Sequence, residues 1–197
     1  MRSFDRDKLV NKIPCHHSFP QEVKSFKYLD IEVGAGSGMF ALNYVKKNSN
    51  RALISIEKTS TKFKKFSNAY ENKKYSNLFP FQDNAISWCA HHLRSEQVDR
   101  FFFLYPNPNP KKSDLNKRFH AMPFMEFVID CLKPGGEIFF ATNENFYYSE
   151  AVSYMVEKWG LKLRQNKKIL QSDEPLTLFE KKYLERGQAC YHFSFVK

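Results

Sequence analysis

Residues 28–38 read YLDIEVGAGSG, and the fold follows from them. Tyr28–Val33 has the composition of a buried strand. It runs into a turn with glycine at every second position, Gly34, Gly36 and Gly38, and Met39–Lys47 then reads as a helix. Gly34 and Gly36 allow a sharp backbone turn and leave room for a ligand, while Gly38 lets the helix pack close to the sheet. With Met at position 39, the spacing is not the G-x-G-x-x-G of a dinucleotide site. An acidic residue, Glu32, stands two positions before the first glycine.

Downstream, short apolar runs alternate with longer amphipathic stretches, as in β-α-β units with a parallel sheet. Ala52–Glu57 is a second strand, ending in a carboxylate able to accept hydrogen bonds from both hydroxyls of a ribose. Ser60–Lys73 is a helix with Phe63, Phe66 and Tyr70 on its apolar face. Leu78–Phe81 and Asp99–Leu104 read as strands three and four, with a helix over Ile86–Leu93 between them. A helix over Phe119–Leu132 is expected to stop at Pro134-Gly135-Gly136, before a fifth strand, Glu137–Thr142. Tyr147–Trp159 reads as a helix, Leu161 onward as a sixth strand and Tyr191–Val196 as the last. Asn166–Gly187 is charged and has no clear period.

Composition bounds what such a chain does. At roughly 100–200 residues per domain, 197 residues make one domain. A 42% hydrophobic content with twenty Phe supplies a sizeable core and excludes a disordered chain. No apolar run approaches the ~20 residues of a membrane span, and the first twenty residues lack the apolar core of a signal peptide. Thirty-one Lys and Arg against 21 Asp and Glu give a net charge of +10, which points to a polyanionic partner, nucleic acid before an anionic membrane. Cys15, Cys89, Cys131 and Cys190 form no C-x-x-C, so free thiols and a cytoplasmic location are expected. Cys15-His16-His17 and Cys89-x-His91-His92 offer metal-ligand types. They lie far apart in sequence, and no metal is expected.

A second motif, Tyr105-Pro-Asn-Pro-Asn-Pro-Lys-Lys112, directly follows strand four, where ligands of such sheets bind. Its prolines stiffen the loop and fix where Asn107 and Asn109 point. Lys111, Lys112, Lys117 and Arg118 place positive charge beside the crevice.

The glycine turn with Glu32 and Glu57 resembles that of class I S-adenosylmethionine-dependent methyltransferases. That cofactor carries a sulfonium and an amine and no phosphate, so an acidic turn suits it. The resemblance implies a Rossmann-like α/β fold, a mostly parallel seven-stranded sheet with helices on both faces. It also implies a polar contact to the adenine after strand three, from Asp83 or Asn84. More narrowly, the chain resembles the bacterial tRNA (guanine-N7-)-methyltransferase family, which has a PDPW-x-K loop, an ATD after strand five and a T-x-F-E near the C-terminus. Here these read Pro106-Asn-Pro-Asn-x-Lys111, Ala141-Thr-Asn143 and Thr177-Leu-Phe-Glu180, and Lys117-Arg118 and Pro123-Phe124 also match. Asn107 and Asn143 replace two family aspartates, and Asn109 replaces the tryptophan.

This resemblance implies cofactor contacts from Glu32, Gly34, Gly36, Gly38, Glu57, Asp83, Asn84 and Asn107, with Asn107 also at the reacting centre. It implies tRNA as partner, contacted by Lys111, Asn143, Thr177 and Glu180, and no membrane. Residues 1–27 are expected to be an N-terminal extension to a methyltransferase domain over 28–197, as a monomer or homodimer. Two rival readings remain. One is a methyltransferase of this fold with another acceptor, because Asn-Pro loops also hold exocyclic amines. The other is an RNA-binding homologue that has lost turnover with its carboxylates.

Overall fold

The structure, a computed structural model, describes residues 3–197. Seven strands form one sheet: β1 (Tyr28–Val33), β2 (Arg51–Glu57), β3 (Leu78–Gln82), β4 (Val98–Leu104), β5 (Leu132–Thr142), β6 (Lys162–Ile169) and β7 (Cys190–Val196). Their order is β3-β2-β1-β4-β5-β7-β6. All neighbours are parallel except β7, which runs antiparallel to both β5 and β6. The strand order reverses between β1 and β4, and the ligand crevice of an open α/β sheet lies at such a switch point.

Among the described residues there are seven α-helices: α1 (Arg6–Lys12), α2 (Met39–Lys47), α3 (Ser60–Glu71), α4 (Ala85–His92), α5 (Phe124–Cys131), α6 (Asn145–Ser153) and α7 (Leu178–Glu185). The two-residue alternation of a strand feeds both faces of the sheet. Phe101 and Phe103 join Ile31, Ile54, Trp88 and Phe140 in one apolar layer, while Phe102 and Leu104 join Phe40, Leu53 and Phe66 in the other. Burial on both faces explains why the central strands read as continuous apolar runs. At the base of β1, the buried Asp30 carboxylate accepts two 2.6 Å bonds from Arg51 and one from the Tyr44 hydroxyl.

Three segments depart from the sequence reading. The helix expected over Phe119–Leu132 begins only at Phe124, because Pro123 has no N–H to donate inside a helix and stands at its N-cap instead. Pro134-Gly135-Gly136 does not separate a helix from a strand. It lies inside β5 beside a register shift against β4, with Gly135 at φ +76°. Gly136 O accepts from Lys197 N, so the irregularity still closes against the end of the chain. The unassigned Asn166–Gly187 holds the end of β6 and all of α7. Thr177 Oγ1 accepts from Glu180 N and caps α7, the first half of an S/T-x-x-E capping box.

Of the expected 1–27 extension, residues 1 and 2 lie outside the described residues. The remainder packs along α4 and α5, with Phe4 against Phe124 and Phe127 and Arg6 Nε donating to Ala90 O. Among the described residues no helix is long and apolar enough to cross a membrane.

Candidate active site

A cleft of about 410 Å³ opens at the carboxyl ends of β1, β2 and β4. One wall is the glycine turn. Gly34 N and Ala35 N both donate to Ile56 O, which pins the turn to β2. Gly36 N donates to Glu57 Oε2 at 2.8 Å, and Thr59 N to Glu57 Oε1 at 2.7 Å. The Glu57 carboxylate therefore ties the glycine turn to the start of α3. A Cβ on Gly34 or Gly36 would meet nothing within 4 Å, so their requirement is positive φ and open space. Gly38 differs. A Cβ there would lie 2.0 Å from Phe66 Cδ2, so the close approach is to a side chain of α3 and not to the sheet, a correction to the sequence reading.

Glu32 lies beneath the turn, buried, with its carboxylate accepting from Ser55 Oγ at 2.7 Å. Burial, reinforced by the nearby Glu57 and opposed by the Ser55 bond, raises its pKa to about 7. The partners of the two carboxylates are a hydroxyl and two backbone amides, none of them a cation.

The opposite wall is the loop after β4. Tyr105 has φ +51°, a left-handed conformation rare for a bulky residue, and its N–H donates to Ala141 O. Asn107 Oδ1 accepts from Asn109 N, an Asx turn, and Asn109 Nδ2 donates to Asn107 O and Lys117 O. The expectation that Arg118 presents its charge to the crevice is overturned. Its side chain is only 4% exposed. The guanidinium donates to the carbonyls of Asn109, Pro110 and Lys111, pairs with Glu150 and covers the Phe146 ring. A planar five-donor group matches several carbonyls at once, and Arg118 is in effect the clamp of the loop.

Of the residues singled out in the sequence, Glu32, Gly34, Gly36, Glu57, Asn107 and Thr177 line this cleft. Glu180 is behind its wall, buried, accepting from Tyr105 Oη at 2.8 Å and facing His192 Nε2 at 2.9 Å. Burial, then the neighbouring Cys190 and Glu180, push the Tyr105 phenol pKa far above its usual value, so the hydroxyl stays a donor. Asn143 does not line the cleft and donates to Glu144 and Gln188. Lys111 is exposed on the loop. Asp83 and Asn84 also lie outside the cleft lining. Asn84 Oδ1 caps α4, accepting from Ile86 N and Ser87 N, while Asp83 accepts from Asn84 N and from the Cys15 thiol. Cys15 Sγ is 3.2 Å from His92 Nε2, Cys89 is buried, and among the described residues no group of three His, Cys, Asp or Glu could hold a metal ion.

The sequence reading did not place Lys62, Lys65, Phe179 and Lys182 in the cleft, which they also line. Each belongs to a helix whose orientation only the tertiary structure fixes. Phe179 alone carried a signal, as the third member of the T-x-F-E segment.

A family model described as "Putative methyltransferase" matches residues 27–193. The tRNA (guanine-N(7)-)-methyltransferase of Chlamydia abortus is 26% identical over 168 residues, covering 84% of this chain and 75% of that protein. That of Mycoplasma genitalium is 27% identical over 155 residues, 75% and 71% of the two chains. Among solved structures, the 16S rRNA methyltransferase KamB superposes with TM-score 0.63 at 15% identity, over 91% of this chain and 94% of that one. A SAM-dependent methyltransferase from Aquifex aeolicus superposes with TM-score 0.57 at 13% identity, over 98% and 99%. These structural likenesses establish the class I methyltransferase fold. With a glycine turn, two acidic residues and a clamped loop converging on one cleft, and with the family model spanning nearly the whole chain, the protein belongs to this methyltransferase family.

Proposed function

We propose that the protein methylates tRNA at guanine N7, in the variable loop, using S-adenosylmethionine. The observation that carries the reading is the pairing of an acidic glycine-turn wall with the Arg118-clamped Asn107 loop across a single cleft. Family relatives named for this activity support it. When bound, S-adenosylmethionine supplies an electrophilic methyl group on a sulfonium. The wall fits such a cation. Among the described residues Glu32 and Glu57 have no cationic partner, and Glu57 uses two of about four lone-pair sites on the protein's own amides, leaving acceptors for a ribose.

The chain's own work is positioning and electrostatics. Guanine N7 has a free lone pair and no proton to lose, so no general base is required. Asn107, an amide on a stiff, clamped loop, orients the base without adding charge. The purine becomes cationic on methylation, and the buried Glu180 carboxylate, fixed by Tyr105 and facing His192, is the nearby negative group behind the wall. The adenine contact assigned to Asp83 or Asn84 calls for one of them to be freed from its present bonds. Exposed Lys111 and Lys112 are suited to phosphates. Such a protein works in the cytoplasm.

Three expected results test this reading. Replacing Asn107 with Asp should raise kcat about tenfold with little change in tRNA affinity, because the charge it meets develops in the transition state. Single-turnover kinetics on tRNA reads this. A parent that is active and is inactivated by Asp would instead favour an amino-group acceptor, and an inactive parent revived by Asp would indicate a binding protein.

The second concerns Glu32. Its folded pKa is raised from 4.5 to about 7, so the native state holds the extra proton in that interval. Stability of the free protein should therefore fall as pH rises from about 4.5 to 7 and level off above. Affinity for the cationic cofactor should move the opposite way, rising through pH 7 as Glu32 ionises. Glu32→Gln should flatten both curves, and parallel curves in the parent would refute the assignment.

The third is salt dependence. tRNA affinity should fall steeply with salt, by a slope of roughly 0.7–0.9 per phosphate contact. Lys111→Ala with Lys112→Ala should make the slope shallower by about 1–2. A slope unchanged in the double variant would place the RNA elsewhere.

A further inference from the structure

Phe179 is an aromatic side chain that the core leaves partly exposed. It stands in the first turn of α7, lines the cleft and is 44% exposed, in a lining that mixes Met39, Phe40 and Leu178 with the carboxylates of Glu32 and Glu57 and with lysines. The ring is held from behind. Tyr183 stacks on it at 6.4 Å and 22°, and Tyr183 in turn lies 5.8 Å from Tyr105, where the Asn107 loop begins. Thr177 fixes the helix turn that carries it. Over the ring stands the Lys62 ammonium from α3, 5.4 Å from the centroid. An aromatic face is electron-rich and draws a cation to this distance.

We infer that Phe179 is the stacking platform for the target purine, and that its ring face stabilises the positive charge the base acquires at N7. The Lys62 ammonium shows that this ring face takes a positive charge. The inference rests on the guanine-N7 reading above. Alkylating N7 turns its lone pair into the new N–C bond, leaves the S–C bonding pair on sulfur and releases no proton, so the purine gains one positive charge. Stabilising it needs negative potential close to a flat ring. Asn107 and Asn143 are neutral amides, and Glu180 is buried behind the wall. An aromatic face supplies the potential together with the shape, since a base extruded from RNA is read by stacking on such rings. Lys62 is exposed, on a long flexible stem, and is free to swing from the ring to the RNA backbone when the base arrives.

The test needs no cofactor. Calorimetry compares 7-methylguanosine 5′-monophosphate with guanosine 5′-monophosphate as probes. The parent should bind the nucleotide with the methylated, cationic base about tenfold more tightly. Mono-, di- and trifluorophenylalanine at position 179 keep the ring's shape while draining its face of electron density. The preference should fall stepwise along that series, vanish in Phe179→Leu and grow in Phe179→Trp. In tRNA methylation, kcat should follow the same order. Equal affinity of the parent for both nucleotides, or a preference unmoved by fluorination, would overturn the platform. A parent that methylates guanine N7 while the series stays flat overturns the platform alone. A parent with the graded preference that leaves tRNA unmethylated supports the platform and overturns the enzymatic reading.

Discussion

Gly38→Ala is expected to lower the melting temperature by about 10 °C. Two costs combine. The residue has φ +82°, and an L side chain in the left-handed region costs roughly 1–2 kcal/mol. The new Cβ would also lie 2.0 Å from Phe66 Cδ2 and 2.6 Å from two further ring atoms. Phe66 is fully buried among the side chains of its layer, so the ring has nowhere to turn. Overpacking of this kind costs about 1–3 kcal/mol more. At about 2–4 °C per kcal/mol for a chain of this size, the sum is near 10 °C. Gly34→Ala is the control, because it shares the positive φ and meets nothing within 4 Å. It should lose only the smaller backbone share in a calorimetric melt, and equal melting of the two variants would contradict the Phe66 contact.

Arg118→Met should be comparably damaging, and in activity as well as stability. Methionine keeps most of the apolar stem but leaves the carbonyls of Asn109, Pro110 and Lys111 without this donor, and Glu150 without its guanidinium. Breaking a buried pair costs about 3–5 kcal/mol. Glu150 is 29% exposed and can be rehydrated, so about 2–4 kcal/mol is expected here. The released loop carries Asn107, and kcat should fall at least about tenfold while cofactor affinity holds, because the glycine turn is untouched. Arg118→Lys should be intermediate, since an ammonium keeps the charge and loses the planar fork. Denaturant unfolding and single-turnover rates read the two effects. Full activity in the Met variant would remove Arg118 from the account.

What was legible in the sequence is local. The β1–turn–α2 unit has the bounds read from it, Tyr28–Val33 and Met39–Lys47, because burial on both faces and glycine spacing act within a few residues. The acidic wall was legible for the same reason, as Glu32 and Glu57 end or nearly end adjacent strands. Pro134-Gly135-Gly136 misled because a breaker sequence can end a helix or kink a strand, and pairing with β4 and with Lys197 decides between them. Arg118 looked like one more surface cation beside Lys117, since nothing nearby in sequence announces Glu150 or the three carbonyls that enclose it. Asn84 reads in the sequence as an adenine contact, and the structure uses its side chain to cap α4. The Tyr105–Glu180 bond joins residues 75 apart, and Lys62 reaches Phe179 from a different helix. Contacts of that span depend on the finished sheet.

The most direct measurement of the central claim is the identity of the methylated nucleoside. The purified protein is incubated with S-adenosylmethionine and tRNA lacking the modification, and the tRNA is digested and its nucleosides resolved by mass and chromatography. The expected result is up to one methyl group per tRNA, recovered as 7-methylguanosine from the variable loop. A methyl group on an exocyclic amine or on another base, or none at all from a protein that calorimetry shows to bind the cofactor, would contradict it.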